Sequence, residues 1–138
     1  MILVDTDILT HYFGGHPRVV ERVRSAEEEV ATTVITRIEI LQRRFDSVLK
    51  AADGDQLERA RVLLERTEEA LARVNIIPLD VAAAAEFDRL RQNKKLKKIG
   101  RADLLIAAIA LANQATLVTR NLRHFRQVPR LLLENWAD

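Results

Sequence analysis

Asp5, Glu39 and Asp103 are the acidic residues of this sequence whose surroundings suit chemistry. Asp5 ends the apolar run Ile2 to Val4. Glu39 lies between Ile38 and Ile40, near the start of a helical pattern, and Asp103 opens the almost wholly apolar stretch Leu104 to Ala112. Each also has an ordinary structural role open to it. Asp5 and Asp103 are residue types that cap helices, and Glu39 follows Thr36 by three, the spacing of a capping box. Asp7 shares the ambiguity: it reads as the cap of the first helix, within hydrogen-bonding reach of a water on a metal.

The ambiguity narrows when the three fall together at one edge of a sheet. Crowded like charges repel, and a divalent cation held by carboxylate oxygens is the usual remedy. There is no cysteine, His11 and His16 flank the Gly14-Gly15 turn in surface or packing roles, and His124 lies in a basic segment where it could touch a phosphate. The donor set is therefore all oxygen, which points to Mg²⁺, with Mn²⁺ as a substitute, rather than to zinc.

The elements that must bring these residues together follow from the apolar spacing. Ile2 to Val4, the β-branched run Val30 to Ile35, Asn75 to Leu79, Thr116 to Thr119 and a last short run Leu131 to Leu133 read as strands. Between them lie helical patterns. The first runs from near Asp7 to Gly14-Gly15; after Pro17, Arg18 to Glu28 sets Val19, Val20 and Val23 among charges. Thr36, as an N-cap, opens a helix carrying Ile38, Leu41, Phe45 and Leu49 and ending near Asp53-Gly54. Gln56 to Val74 is amphipathic and makes the second arm of a helical hairpin. Asp80 caps an alanine-rich helix that reaches the lysines and breaks at Gly100; Leu104 to Ala112 is a central buried helix, and Asn121 to Phe125 is short. Strands alternating with helices imply an α/β fold, a three-layer α/β/α sandwich around a parallel sheet of four to five strands, formed by one domain over residues 1–138. In such sheets functional groups gather beyond the carboxyl ends of the strands.

The 138 residues, 48% hydrophobic, suffice for one sizeable core. The absence of cysteine excludes disulfides and thiol redox chemistry and accords with a cytoplasmic location. The opening MILVDTDIL has no basic leader region, and no stretch is long and apolar enough to span a membrane. Net charge is only +2, so distribution matters more than total. Lys94, Lys95, Lys97, Lys98 and Arg101 lie together, and Arg120, Arg123, Arg126 and Arg130 follow at short intervals; either group could meet phosphate or simply be solvated. With one Trp and one Tyr, no stacking platform for bases is evident.

VDTDIL at the start, TRIEIL after the second strand, IGRADLLIAAIALA before the fourth, LVTRN with Phe125 after it, and the closing LLLENW occur in an order that resembles the PIN domains of the VapC toxin class. The resemblance runs over essentially the whole chain. It implies a PIN-like fold, an Mg²⁺-dependent endoribonuclease acting as the toxin of a toxin–antitoxin pair, and metal binding by Asp5, Glu39 and Asp103. Thr6, Asp7, Thr119 and Asn121 take supporting positions. Asn121 stands where family members often carry another acidic or polar residue, and the DTD opening replaces the usual DTN or DTS. The resemblance further implies RNA and a cognate antitoxin as partners, and a homodimer. Hydrolysis of this kind would leave a 5′-phosphate and a 3′-hydroxyl, with Arg120 or the Lys94 to Arg101 cluster holding the flanking backbone.

Two other readings compete. VDTDIL also matches the start of the haloacid-dehalogenase pattern, but Leu9 stands where Thr or Val belongs and no phosphate-binding lysine has an obvious place. A PIN-like domain can instead serve as a nucleic-acid-binding regulatory subunit without catalysis. Retention of three carboxylates argues against that, because a pure binding surface gains nothing from negative charge facing phosphate. Replacing Lys94, Lys95, Lys97 and Lys98 with glutamine should weaken binding to all RNAs alike and flatten its salt dependence, since fewer counterions are released. Binding titrations across a salt series measure this, and an unchanged slope would assign the lysines to solubility or to a protein partner.

Overall fold

The computed structural model describes residues 1–138, and its centre is a parallel sheet of five short strands. They are β1 (Ile2–Val4), β2 (Val30–Thr33), β3 (Asn75–Ile77), β4 (Thr116–Val118) and β5 (Leu132–Glu134), in the order β3-β2-β1-β4-β5. Strand β1 is thus flanked by β2 and β4, with Val4 level with Thr32 on one side and Val118 on the other. The order reverses between β1 and β4. Chains leaving those two strands turn to opposite faces, which opens a crevice at their carboxyl ends.

Alternation along the strands divides the apolar interior in two, because successive side chains point to opposite faces. Leu3, Ala31, Ile77 and Leu117 face α5 (Val81–Arg91), α6 (Arg101–Ala112) and α7 (Leu122–Phe125). Ile2, Val4 and Val118 face α1 (Thr6–Phe13), α2 (Pro17–Ser25), Ile40 of α3 (Val34–Leu49), Leu71 of α4 (Gly54–Leu71) and Trp136. The result is the expected α/β/α sandwich. Helix α6 is the most enclosed element: Ile106 to Ala110 are buried without interruption, and its alanines let neighbours approach closely. It ends in a Schellman turn in which the Ala115 N–H donates to the Ala110 carbonyl across Gln114 at φ 52°. That turn returns the chain directly into β4.

Several boundaries differ from the sequence reading, for local reasons. Strand β2 stops at Thr33, whose hydroxyl accepts the Thr36 N–H at 3.1 Å and caps α3, so Thr36 lies inside the helix rather than at its start. The first helix is capped by Asp5, whose Oδ1 accepts the Ile8 N–H at 2.9 Å; Asp7 is exposed in its first turn. Helix α3 ends at Leu49, short of Asp53, which instead caps α4. Strand β3 closes at Ile77, since Pro78 has no N–H to continue the ladder. Helix α5 ends at Arg91, and Lys94–Leu96 form a separate 3₁₀ turn. Strand β4 stops one residue before Thr119, α7 begins one residue after Asn121, and β5 is displaced by one residue. No helix is long and apolar enough to cross a membrane.

The burial of α6 makes a stability prediction. Ile109 is wholly buried, so Ile109→Ala should cost about 2–5 kcal/mol, whereas Ile38→Ala, at a side chain 54% exposed, should cost under about 0.5 kcal/mol. Urea unfolding of the two variants compares them, and similar losses would contradict a core centred on α6.

Candidate active site

Asp5 reaches the crevice because β1 ends at Val4 and the next residue caps α1. It is 8% exposed, and both of its tethers are neutral: the Ile8 N–H and the Thr119 hydroxyl. Thr119 follows the neighbouring strand β4 and also accepts the Asn121 N–H at 3.0 Å, so one buried hydroxyl links the ends of β1 and β4. Burial is the main cause that pushes the Asp5 carboxyl up to about 6, opposed by its two hydrogen bonds and reinforced by the charges of Asp7 and Asp103.

Glu39 lies in the second turn of α3 and is half-buried. The Thr6 hydroxyl donates to its Oε1 at 2.7 Å, while Thr36 Oγ1 stands 3.1 Å from Thr6 Oγ1 and Thr33 Oγ1 3.4 Å from Thr36 Oγ1. A carboxylate only accepts and a hydroxyl carries one hydrogen. The Thr6 proton therefore goes to Glu39, and Thr36 supplies its own to Thr6. The capping-box alternative is set aside: Glu39 faces Thr6 of α1, not the backbone of Thr36.

Asp103 stands at the third position of α6, whose N-cap is Gly100 and makes no side-chain bond. It is therefore not a cap. It is half-buried, and its carboxyl is raised by that burial; His124 opposes the rise, while Glu39 and Asp7 add to it. The Nε2 of His124 lies 3.3 Å from Asp103 Oδ2, an approach whose angles fall short of a hydrogen bond.

Asp5, Asp7, Glu39 and Asp103 thus act on one another electrostatically at one sheet edge, and no lysine or arginine pairs with any of them. They do not close on a single point: no three acidic or histidine side chains stand near enough to share one ion. Asp5, Glu39 and Asp103 instead face separate partners, Thr119 with Ile8, Thr6, and His124. The donor chemistry still fits a hard divalent cation, because all donors are oxygen and Mg²⁺ takes one or two carboxylates directly while keeping several waters.

The remaining predicted residues divide. Asn121 is exposed and makes no side-chain cap bond. Arg120 is exposed, pairing with Asp138 at 3.2 Å and approaching His11 Nε2 at 3.3 Å. Lys94, Lys95, Lys97 and Lys98 are exposed without ion pairs, and the Arg101 guanidinium lies over the Phe87 ring, 5.2 Å from its centroid. Sequence reasoning missed the threonine chain behind Glu39 and the contact of His124 with Asp103. The repeated threonines at 32, 33 and 36 were visible as a signal; nothing local pointed to His124.

The PIN domain family model matches residues 2–131. The chain is 29% identical over 136 residues to Ribonuclease VapC2 of Rickettsia felis, covering 97% of this chain and 96% of that protein. It is 27% identical over 140 residues to Ribonuclease VapC1 of Haemophilus influenzae, covering 98% and 97%. Among solved structures it is similar to a chain of VapBC2 from Rickettsia felis bound to a DNA fragment from their promoter, with a TM-score of 0.76 at 28% identity over 99% of each chain. It is also similar to a chain of FitAcB from Neisseria gonorrhoeae, with a TM-score of 0.77 at 29% identity, covering 98% and 97%.

The raised Asp5 carboxyl has a defined effect on stability. Below pH about 4 the group is protonated both folded and unfolded; between about 4 and 6 only the folded chain keeps the proton, so stability falls as pH rises through this window. The loss is on the order of 2–3 kcal/mol at pH 7 without metal. Asp5→Asn keeps a competent cap and removes the charge. It should therefore be more stable than the unmodified protein at pH 7, with the difference closing by pH 4 in urea unfolding. A difference independent of pH would mean that Asp5 ionises normally within the fold.

Proposed function

Because this chain belongs to the PIN-domain family, we propose that residues 1–138 form one PIN domain that hydrolyses RNA phosphodiester bonds with the help of Mg²⁺, as the toxin of a toxin–antitoxin pair. The observation that carries the reading is a group of carboxylates at the switch point of the sheet, one buried and two half-buried, that no lysine or arginine neutralises. Burying negative charge without a partner is costly, and a fold that retains it has reserved the place for a positive ligand. The names of the relatives, ribonucleases, support the reaction class, and likeness to a chain of a toxin–antitoxin complex from Klebsiella pneumoniae supports the partner.

Asp5, Glu39 and Asp103 would hold the cation, one or two of them directly and the rest through its waters, with Asp7 at the rim. When bound, it supplies an acidified water and offsets charge on the phosphate. The chain's own contribution is positioning. Thr119 and the Ile8 N–H keep Asp5 from rotating out of the crevice, and Thr6, backed by Thr36, aims Glu39 at the same edge. Arg120 and the exposed lysines would hold the backbone phosphates on either side of the cleaved bond.

Asp5→Asn, Glu39→Gln and Asp103→Asn should each lower RNA cleavage at least about a hundredfold while leaving the fold intact, with melting temperature without metal unchanged or raised, since each removes one of several repelling charges. Cleavage assays on purified variants with and without Mg²⁺ test this. Near-normal activity in any variant would remove that residue from the site, and equal activity in excess chelator would exclude the metal.

A further inference from the structure

His124 is the polar group of the crevice that neither the sequence pattern nor the proposed chemistry has used. It sits on the four-residue helix α7, edge-on to Phe125 with ring centroids 5.6 Å apart, and its Nε2 is shut off from solvent. That nitrogen has no hydrogen-bond partner, and the Oδ2 of Asp103 is 3.3 Å away. A buried ring nitrogen without a partner is expensive, and an ionised carboxylate can only accept. The one arrangement that satisfies both groups is an Nε2–H directed at Oδ2, reached by a small tightening of a contact already in place. Hydrogen bonds at unliganded sites are commonly long and tighten on loading.

We propose that His124 is a positioning residue for Asp103: its Nε2–H takes one carboxylate oxygen and fixes the rotation of the group so that the other faces the crevice and a divalent cation. This rests on the metal reading proposed above and goes beyond it, by assigning to α7 a role that Asn121, exposed and free of side-chain bonds, does not fill. Asp103 needs such an outside partner more than Asp5 does. Asp5 is held by its own helix and by Thr119, whereas the N-cap of α6 is a glycine with no side chain to share the work. Groups that orient a ligand from behind are commonly worth about 10- to 100-fold in metal affinity.

Titration calorimetry of the full chain with Mn²⁺ and no RNA tests the role apart from catalysis. His124→Phe keeps a flat ring against Phe125 but has no donor, and should weaken Mn²⁺ binding about tenfold with the metal-free melting temperature unchanged. His124→Gln restores an N–H at similar reach and should recover affinity to within about threefold of the unmodified protein. In cleavage assays at fixed Mn²⁺, His124→Phe should lower kcat while KM for RNA stays the same. Should the phenylalanine disturb α7, His124→Leu makes the same comparison with His124→Gln. Mn²⁺ affinity lost in Asp103→Asn but unchanged in His124→Phe overturns the role of His124 alone. Affinity retained in Asp103→Asn overturns the metal reading, and this inference with it.

Discussion

The arrangement turns on a buried carboxylate with no cation to neutralise it. Asp5 occupies the first position after the central strand, where the backbone must leave the sheet, and its side chain is the cap that lets the chain leave as a helix. A neutral asparagine would cap as well and would ionise nothing. The charge therefore adds a cost to folding that the cap does not require. Around it, the charges of Asp7 and Asp103 raise the cost further, Glu39 adds to that of Asp103, and the fold answers with hydroxyls, a backbone N–H and an imidazole rather than with arginine or lysine. Hydroxyl and backbone donors orient a carboxylate while leaving its charge available.

This choice of partners also explains why the carboxylates stand apart. With no positive charge between them they repel, and each settles on the donor nearest to it. The cluster is built from separate segments, Asp5 directly after β1, Glu39 in α3 after β2 and Asp103 in the first turn of α6, with Thr119 after β4, and it is held in register by strand pairing rather than by contacts among the acids themselves. The basic groups lie elsewhere, on the exposed 3₁₀ turn and at Arg120, which is shared between His11 and Asp138. Negative and positive potential thus occupy separate parts of the same surface.

What could be read in the sequence was whatever is set by local periodicity. The strands, the alternation with helices, the enclosed character of α6 and the placement of Asp5 and Glu39 after strands and of Asp103 in the first turn of α6 all follow from runs of apolar residues and from the residue types that end them. The individual roles did not follow. Asp5, Asp7, Thr33 and Thr36 are all competent caps, and which of them serves depends on where a strand stops, a matter settled by pairing with a neighbour distant in sequence. Glu39 resembled a capping-box residue until α1 brought Thr6 against it, 33 positions away. His124 and Asp103 come from different elements on one side of the sheet, and no spacing rule joins them.

The strand order has a consequence for how the molecule comes into being. Of the five strands β1 is made before the others, yet one of its two neighbours, β4, is not complete until residue 118. Thr119, which secures Asp5, comes later still, and His124 after that. The sheet centre depends on contacts between segments far apart in the chain, and such pairings form late because the intervening loop must first be closed. A growing chain therefore carries Asp5 and Glu39 without the crevice that assembles them until the residues of β4 and beyond have been added. Whatever chemistry the crevice performs is withheld until the segment through His124 has been made.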